Sequence, residues 1–185
     1  MAGCTLDGMA TQYYTGCSVD GFIATPDHSL DWLVSRDIAR DGPMAYDAFF
    51  KDVGAMAMGA TTYQWVLDHS DSWEYDIPSW VFTHRDFPEP AGDIRFTRAD
   101  VAPVHREMAE AAGDRNIWIV GGGDLVGQFH DAGLLDEVWV QFAPVTLGGG
   151  APVLPRHVEL SLDEVARNRD FACVRYSVVK DADPA

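Results

Sequence analysis

Apolar and polar positions along the chain change period several times, and each change marks an element. Thr11–Cys17 (TQYYTGC) is rich in aromatic and β-branched residues and reads as a strand. Ser18–Asp31 then carries Asp-Gly and Pro-Asp turn signals. Pro43–Lys51 places Met44, Ala48 and Phe49 on one helical face, and Gly54–Gly59 (GAMAMG) is a short buried strand. Thr61–Leu67 predicts a helix opened by a threonine N-cap. Trp80–Thr83 and Ile94–Thr97 are further short strands, and Val104–Ala112 is a helix stopped by Gly113. Asn116–Val120 (NIWIV) is apolar throughout, as a strand buried on both faces must be. Asp124–Ala132 is a helix closed by Gly133, and Asp136–Ala143 alternates like a strand packed on one side. Val145–Pro155 is an extended Gly/Pro loop, and Phe171–Val179 a final strand. The pattern predicts an α/β fold with a mixed sheet, parallel at its centre, antiparallel at the C-terminus and flanked by helices.

Length and composition narrow this further. The 185 residues suit one domain, with residues 1–10 expected as a flexible leader and residues 11–181 as the domain. The net charge of −16 sets the surface against a phosphate backbone and an anionic membrane, which disfavours nucleic acid and lipid as partners. Any anionic ligand must therefore be held by local donors working against the global field. Cys4, Cys17 and Cys173 are odd in number and form no C-x-x-C, which fits reduced thiols in a cytoplasmic protein. The N-terminus has no basic and apolar signal pattern, and apolar runs reach about seven residues, far short of the ~18 a membrane span needs.

The densest chemical signal is NIWIVGGGDLVGQF. Three glycines, Gly121, Gly122 and Gly123, stand between a buried strand and a helix that begins near Asp124 and Leu125. Glycine lets a backbone approach a ligand closely, and a helix N-terminus offers unpaired N–H groups and partial positive charge. That combination points to a phosphate-cradling turn, with Asp124 placed to cap the helix. It is not a dinucleotide fingerprint, because Val126 stands where G-x-G-x-x-G needs glycine, and no G-K-[ST] follows. The six histidines show no H-E-x-x-H and no zinc spacing with the cysteines, so no metal site is expected. No G-x-S-x-G elbow occurs.

The turn has companions in a fixed order. Ser18-x-Asp20-Gly21-Phe22-Ile23-Ala24 follows the first strand, and Gly59-x-Thr61-Thr62-Tyr63 the second. Val81-Phe82-Thr83-His84-Arg85 ends the third, then come the three glycines, Gly133-Leu134-Leu135-Asp136-Glu137 and Pro144-Val145-x-Leu147-Gly148-Gly149-Gly150. In this series the chain resembles the dihydrofolate reductase superfamily, most closely the branch of the C-terminal reductase domain of bifunctional riboflavin-biosynthesis proteins. The resemblance covers Thr11 to Val179 and implies a three-layer α/β/α domain that binds NADPH.

The residues that the resemblance assigns to the cofactor suit it physically. Gly59, Thr61 and Thr62 sit at a helix start where hydroxyl and backbone N–H groups can meet a pyrophosphate. Thr83, His84 and Arg85 lie past a strand end, where a hydroxyl and a cationic fork suit a 2′-phosphate. Relatives usually carry Arg or Lys after the glycine of the second motif, and here Ala60 removes that contact.

On the substrate side the resemblance points to Asp20, in the turn after the first strand, and to Trp32 as a pocket wall; an ordinary turn aspartate and a core tryptophan would read the same. Asp37, five residues after Trp32, is either a general acid with a raised pKa or one member of a solvated cluster with Arg36, Arg40 and Asp41. No deaminase signature accompanies the reductase motifs, and no Lys/Arg cluster awaits a substrate phosphate. The expected activity is hydride transfer from NADPH to a small, heteroaromatic, pterin- or pyrimidine-like metabolite. The rival is a nucleotide-binding protein of the same fold without turnover. A homodimer is expected from the resemblance and from the final strand (FACVRYSVV), which is apolar on both faces.

Overall fold

The computed structural model describes residues 8–90 and 92–180. Most of the expected leader, Cys4 with it, lies outside the described residues, as does residue 181. Ten strands and five helices are found there: β1 (Thr11–Ser18), β2 (Phe22–Ala24), α1 (Asp31–Val34), α2 (Tyr46–Phe50), β3 (Val53–Gly59), α3 (Ala60–His69), β4 (Ser79–Phe82), β5 (Ile94–Thr97), α4 (Val101–Ala112), β6 (Asn116–Gly121), α5 (Gly123–Asp131), β7 (Glu137–Ala143), β8 (Ala151–Pro152), β9 (Leu160–Asn168) and β10 (Phe171–Val178). The main sheet runs β5-β4-β3-β6-β1-β7-β10-β9, and β2 pairs with β8 in a separate two-stranded ribbon. Strands β5 to β7 are parallel, while β10 and β9 are antiparallel additions at one side. This is the mixed sheet of a three-layer α/β/α domain.

The central strands alternate between two cores, which is why β3 and β6 are apolar almost throughout. On one side Tyr13, Ala55, Ala57, Ile117 and Ile119 meet Val104 and Met108 of α4 and Leu125, Val126 and Phe129 of α5. In α4 the buried residues Val101, Val104, Met108 and Ala112 recur at helical spacing and so form one stripe. On the other side Tyr14, Met56, Met58, Val81 and Trp118 meet Phe49 of α2 and Tyr63 of α3. Tyr14 stacks on Phe49 with centroids 4.4 Å apart.

The structure corrects the sequence reading in four places. Leu160–Asn168, to which the sequence reading assigned no element, is the edge strand β9, whose exposed positions give no hydrophobic alternation to detect. The final strand β10 is consequently an inner strand between β7 and β9. Helix α3 begins at Ala60 with Gly59 as its N-cap, and no side chain caps it, so Thr61 does not. Helix α5 begins at Gly123 with Gly122 as its N-cap, and Asp124 makes no capping bond.

One detail of the topology positions the site. Neighbouring parallel strands β3 and β6 send their helices to opposite faces of the sheet, α3 against Met56 and Met58 and α5 against Ile117 and Ile119. The strand ends are left uncovered between them, and a crevice opens at that switch point.

Candidate functional site

A cleft of about 440 Å³ occupies this crevice. Its floor is made by the two strand-to-helix junctions: Gly59, Ala60, Thr61 and Thr62 from β3–α3, and Gly122, Gly123, Asp124 and Leu125 from β6–α5. Both helix N-termini beside the cleft lack a side-chain cap, which leaves their first-turn N–H groups without a side-chain partner. A second helix start thus lies beside the expected glycine turn.

The three glycines do different work. Gly121 has φ 139°, which side chains rarely tolerate, and the Gly121–Gly122 peptide is cis. Gly122 faces the open cleft, since a Cβ there would meet no protein atom nearer than Ile23 Cδ1 at 4.0 Å. Gly123 is needed for packing: a Cβ would strike the carbonyl oxygens of Pro152 and Val153. Asp124 pairs with Arg156 at 3.0 Å and accepts from Gln128 Nε2 at 3.1 Å. Arg156 also bonds Asp131, and this pairing offsets the negative charge of Asp124 beside the cradle.

The cleft continues past Ala60, Phe82 and Gln128 into a second groove of about 420 Å³, lined by Thr83, His84, Arg85, Thr97 and Arg98. Thr83 is buried, and its hydroxyl oxygen accepts the Arg85 N–H at 2.8 Å, so it shapes the turn that presents Arg85. The Arg85 guanidinium is exposed and forms no ion pair among the described residues. Arg98, missed in the sequence, donates to Asp86 at 3.2 Å and to the His84 carbonyl at 3.5 Å. It comes from the segment after β5, and only the β4–β5 pairing brings it beside Arg85.

At its other end the cleft is apolar, walled by Ile23 and Ala24 of β2, by Leu30, and by Ala151 and Pro152 of β8. Leu30 is presented by a self-bonded loop in which the Thr25 hydroxyl oxygen accepts the Ser29 N–H and its O–H donates to Asp27. Leu30 stands where Trp32 was expected. Trp32 packs instead on the Met44, Ala143 and Phe171 cluster, away from the cleft.

Two further expectations are relocated. The Asp20 carboxylate does not line the cleft. It accepts from Ser18 Oγ at 2.6 Å, from Leu147 N–H at 3.0 Å and from Gly148 N–H at 2.7 Å, tying the turn after β1 to the Pro144–Gly150 loop. Those bonds, the Ser18 hydroxyl foremost, hold its carboxyl down to about 2, well below the usual range. Asp37 is exposed and ion-paired with Arg169 at 2.6 Å, beside the β9–β10 turn. The structure places Asp37 in an exposed ion pair outside the cleft, with Arg169 rather than its sequence neighbours as partner.

A glycine-rich junction between two helix starts thus opens into a groove lined by Arg85 and Arg98, and comparison with known proteins narrows the lineage. Residues 66–171 match the profile of the RibD C-terminal domain. YwjB of Bacillus subtilis, an uncharacterized protein, is 31% identical over 144 residues, spanning 77% of this chain and 81% of its own length. The chain belongs to the RibD C-terminal domain family. The riboflavin biosynthesis protein RibD of Corynebacterium ammoniagenes is 26% identical over 147 residues, which cover 74% of this chain and 43% of that protein. Among solved structures, a Shewanella protein whose name places it in riboflavin biosynthesis superposes with a TM-score of 0.79 at 23% identity, covering 93% of this chain and 100% of its own. The Thermotoga maritima diaminohydroxyphosphoribosylaminopyrimidine deaminase/5-amino-6-(5-phosphoribosylamino)uracil reductase gives 0.62 at 15% identity, over 92% of this chain and 57% of that one. These structures share the RibD-type, dihydrofolate reductase-like fold. Among the described residues no helix is long and apolar enough to cross a membrane.

Proposed function

We propose that this RibD-type domain is an NADPH-dependent reductase that acts on a small, uncharged heteroaromatic metabolite. One observation carries the reading: two uncapped helix N-termini converge on a single cleft, and that cleft runs on into a groove bearing Arg85 and Arg98. The first feature suits a pyrophosphate and the second a 2′-phosphate. Gly122 meets the same requirement, because its missing side chain leaves room for a ligand phosphate against the backbone. Bound in this way, the cofactor supplies hydride at the apolar end of the cleft.

The protein's own contribution is placement and exclusion of water. Ile23, Leu30 and Pro152 wall the reacting end with apolar surface, which suits a flat ring. Asp20 fixes the turn that carries β2, so the wall is held to the Pro144–Gly150 loop. The reacting end is lined by no Lys or Arg among the described residues, which argues against a phosphorylated substrate in an already acidic protein. With Asp37 outside the cleft, the proton accompanying hydride comes from solvent, from the substrate itself or from His28, which lines the cleft beside Leu30.

Trp65 lines the cleft, so ligand entry is read by its fluorescence. Titration with NADPH and NADH should show submillimolar binding that favours NADPH, lost in Gly122→Val and weakened in Arg85→Ala. No response to either nucleotide would sink the proposal. The position of Asp37 favours a second reading, a nucleotide-binding protein without turnover. Saturable NADPH binding with no oxidation across a broad panel of pterins and pyrimidines would decide for it.

A further inference from the structure

A second cavity lies toward the opposite end of the strands from the cofactor cleft. It holds about 230 Å³ between α2 and the sheet, walled by Met44, Ala48 and Phe49 on the helical side and by Gln12, Asn116 and Trp139 on the other. Gln12 and Asn116 stand near the starts of β1 and β6, whereas the glycine turn leaves the end of β6. The length of β6 sets the two sites roughly 17 Å apart. The volume falls below the roughly 300–1,000 Å³ of drug-sized pockets, so the cavity admits a ligand of few heavy atoms.

One buried side chain there is left incomplete. Gln12 is only 5% exposed, and its Nε2 donates to Glu137 Oε2 at 2.8 Å, an oxygen that also accepts Trp139 Nε1 at 2.8 Å. Turning the amide over would set its carbonyl oxygen against that carboxylate, so Oε1 is fixed as the free acceptor. It has no hydrogen-bond partner among the described residues. Buried polar atoms are rarely left so, and the cavity that Gln12 lines is where the missing donor would sit. The exposed carboxylates of Asp52 and Glu164 line the same cavity, and no Lys, Arg or His among the described residues does. Arg175 lies over the Trp139 ring at 5.1 Å and meets Glu164 at 3.6 Å, a long contact that leaves this carboxylate open to a further donor. The Phe49 and Trp139 rings add flat apolar walls whose faces attract positive charge. We propose that this cavity is a second ligand site, which takes a small organic cation, an ammonium or amidinium on a short apolar body. Its N–H groups meet Gln12 Oε1 and the two carboxylates, and its body lies against Phe49 and Trp139.

Benzamidinium is the probe, and benzamide, neutral and of the same shape, is its control. In amide-resolved NMR spectra of the full chain, benzamidinium should shift the Trp139 indole and Gln12 side-chain signals saturably, with a millimolar dissociation constant or tighter. Benzamide should not, and signals from residues 59–62 and 121–125 should stay in place. Gln12→Leu should weaken benzamidinium binding about tenfold to a hundredfold, the worth of a bond from a charged donor to a buried acceptor. Should that variant misfold, Asp52→Asn with Glu164→Gln decides from the surface: binding should weaken a few-fold and lose its salt dependence. No saturable shift with benzamidinium overturns the proposal, and so does an equal response to benzamide. Binding indifferent to these substitutions overturns it too, as do shifts confined to residues 59–62 and 121–125, which would put the cation in the other cleft.

Discussion

Replacing Gly123 by alanine tests how tightly the cofactor cradle is built into the fold. The added Cβ would lie 2.5 Å from the Val153 carbonyl oxygen and 2.8 Å from its carbonyl carbon, with the Pro152 oxygen closer still. All three are backbone atoms, so no rotamer relieves the contact. Either the start of α5 or the Pro152–Val153 segment must retreat by on the order of 1 Å to reach ordinary van der Waals separation. Overpacking of this kind costs about 1–3 kcal/mol. In a chain of this size each kcal/mol lowers the melting midpoint by roughly 2–4 °C. The expected loss is therefore roughly 2–12 °C. The strain also spreads, because Val153 N–H donates to the Gly21 carbonyl at 2.9 Å and Pro152 pairs with Phe22. NADPH affinity should consequently fall with stability. Thermal melts with and without NADPH measure both effects. Gly149→Ala is the control, since a Cβ there meets nothing within 4 Å and should leave the midpoint unchanged. A Gly123→Ala protein melting with the wild type would refute the steric argument.

Other outcomes follow from individual side chains. Arg85→Ala and Arg98→Ala should each lower NADPH affinity about tenfold to a hundredfold, the worth of a charge-assisted bond, with NADH binding little changed; equal losses for both nucleotides would remove the 2′-phosphate assignment. Asp37→Asn should leave any reductase rate unaltered and cost no more than about 1 kcal/mol through its exposed pair with Arg169, a limit that chemical denaturation can check. Asp20 has a folded pKa depressed to about 2, so its stabilising contribution is complete above the unfolded value near ~4 and is lost as pH falls through about 2. Asp20→Asn should flatten that acid limb of stability, and a wild-type limb in the variant would show that the clamp contributes nothing to it.

What the sequence revealed depended on whether a residue's role was local. The glycine cradle was legible because strand, turn and helix are contiguous from Asn116 to Phe129, and the buried strands because two-sided burial leaves unbroken apolar runs. Arg98 was not legible: it lies 13 residues from Arg85 and becomes its neighbour only through the pairing of β4 with β5. Leu30 lost to Trp32 for a similar reason. An indole and a leucine two residues apart are equally apolar, and only the Thr25-bonded loop decides which turns to the cleft. Strand β9 was missed because solvent on most of its positions removes the alternation that identifies a strand. Asp20 and Asp37 were seen as possible chemistry because a carboxylate's partners, backbone amides in one case and Arg169 in the other, are set by tertiary contact.

The place of β1 in the middle of the sheet also governs how the chain is made. Of the described strands it is made first, yet its two neighbours are β6 and β7, and the Ala10–Asn116 bond that leads into its pairing with β6 closes a separation of 106 residues. Long-range parallel pairing of this kind forms slowly and leaves an apolar strand waiting for its partners. Before β6 has been synthesised, TQYYTGC has no sheet to join. Fragments ending ahead of Asn116 are therefore expected to aggregate or recruit chaperones rather than fold, and the two halves of the cleft meet only once β6 has been made and has paired with both β3 and β1.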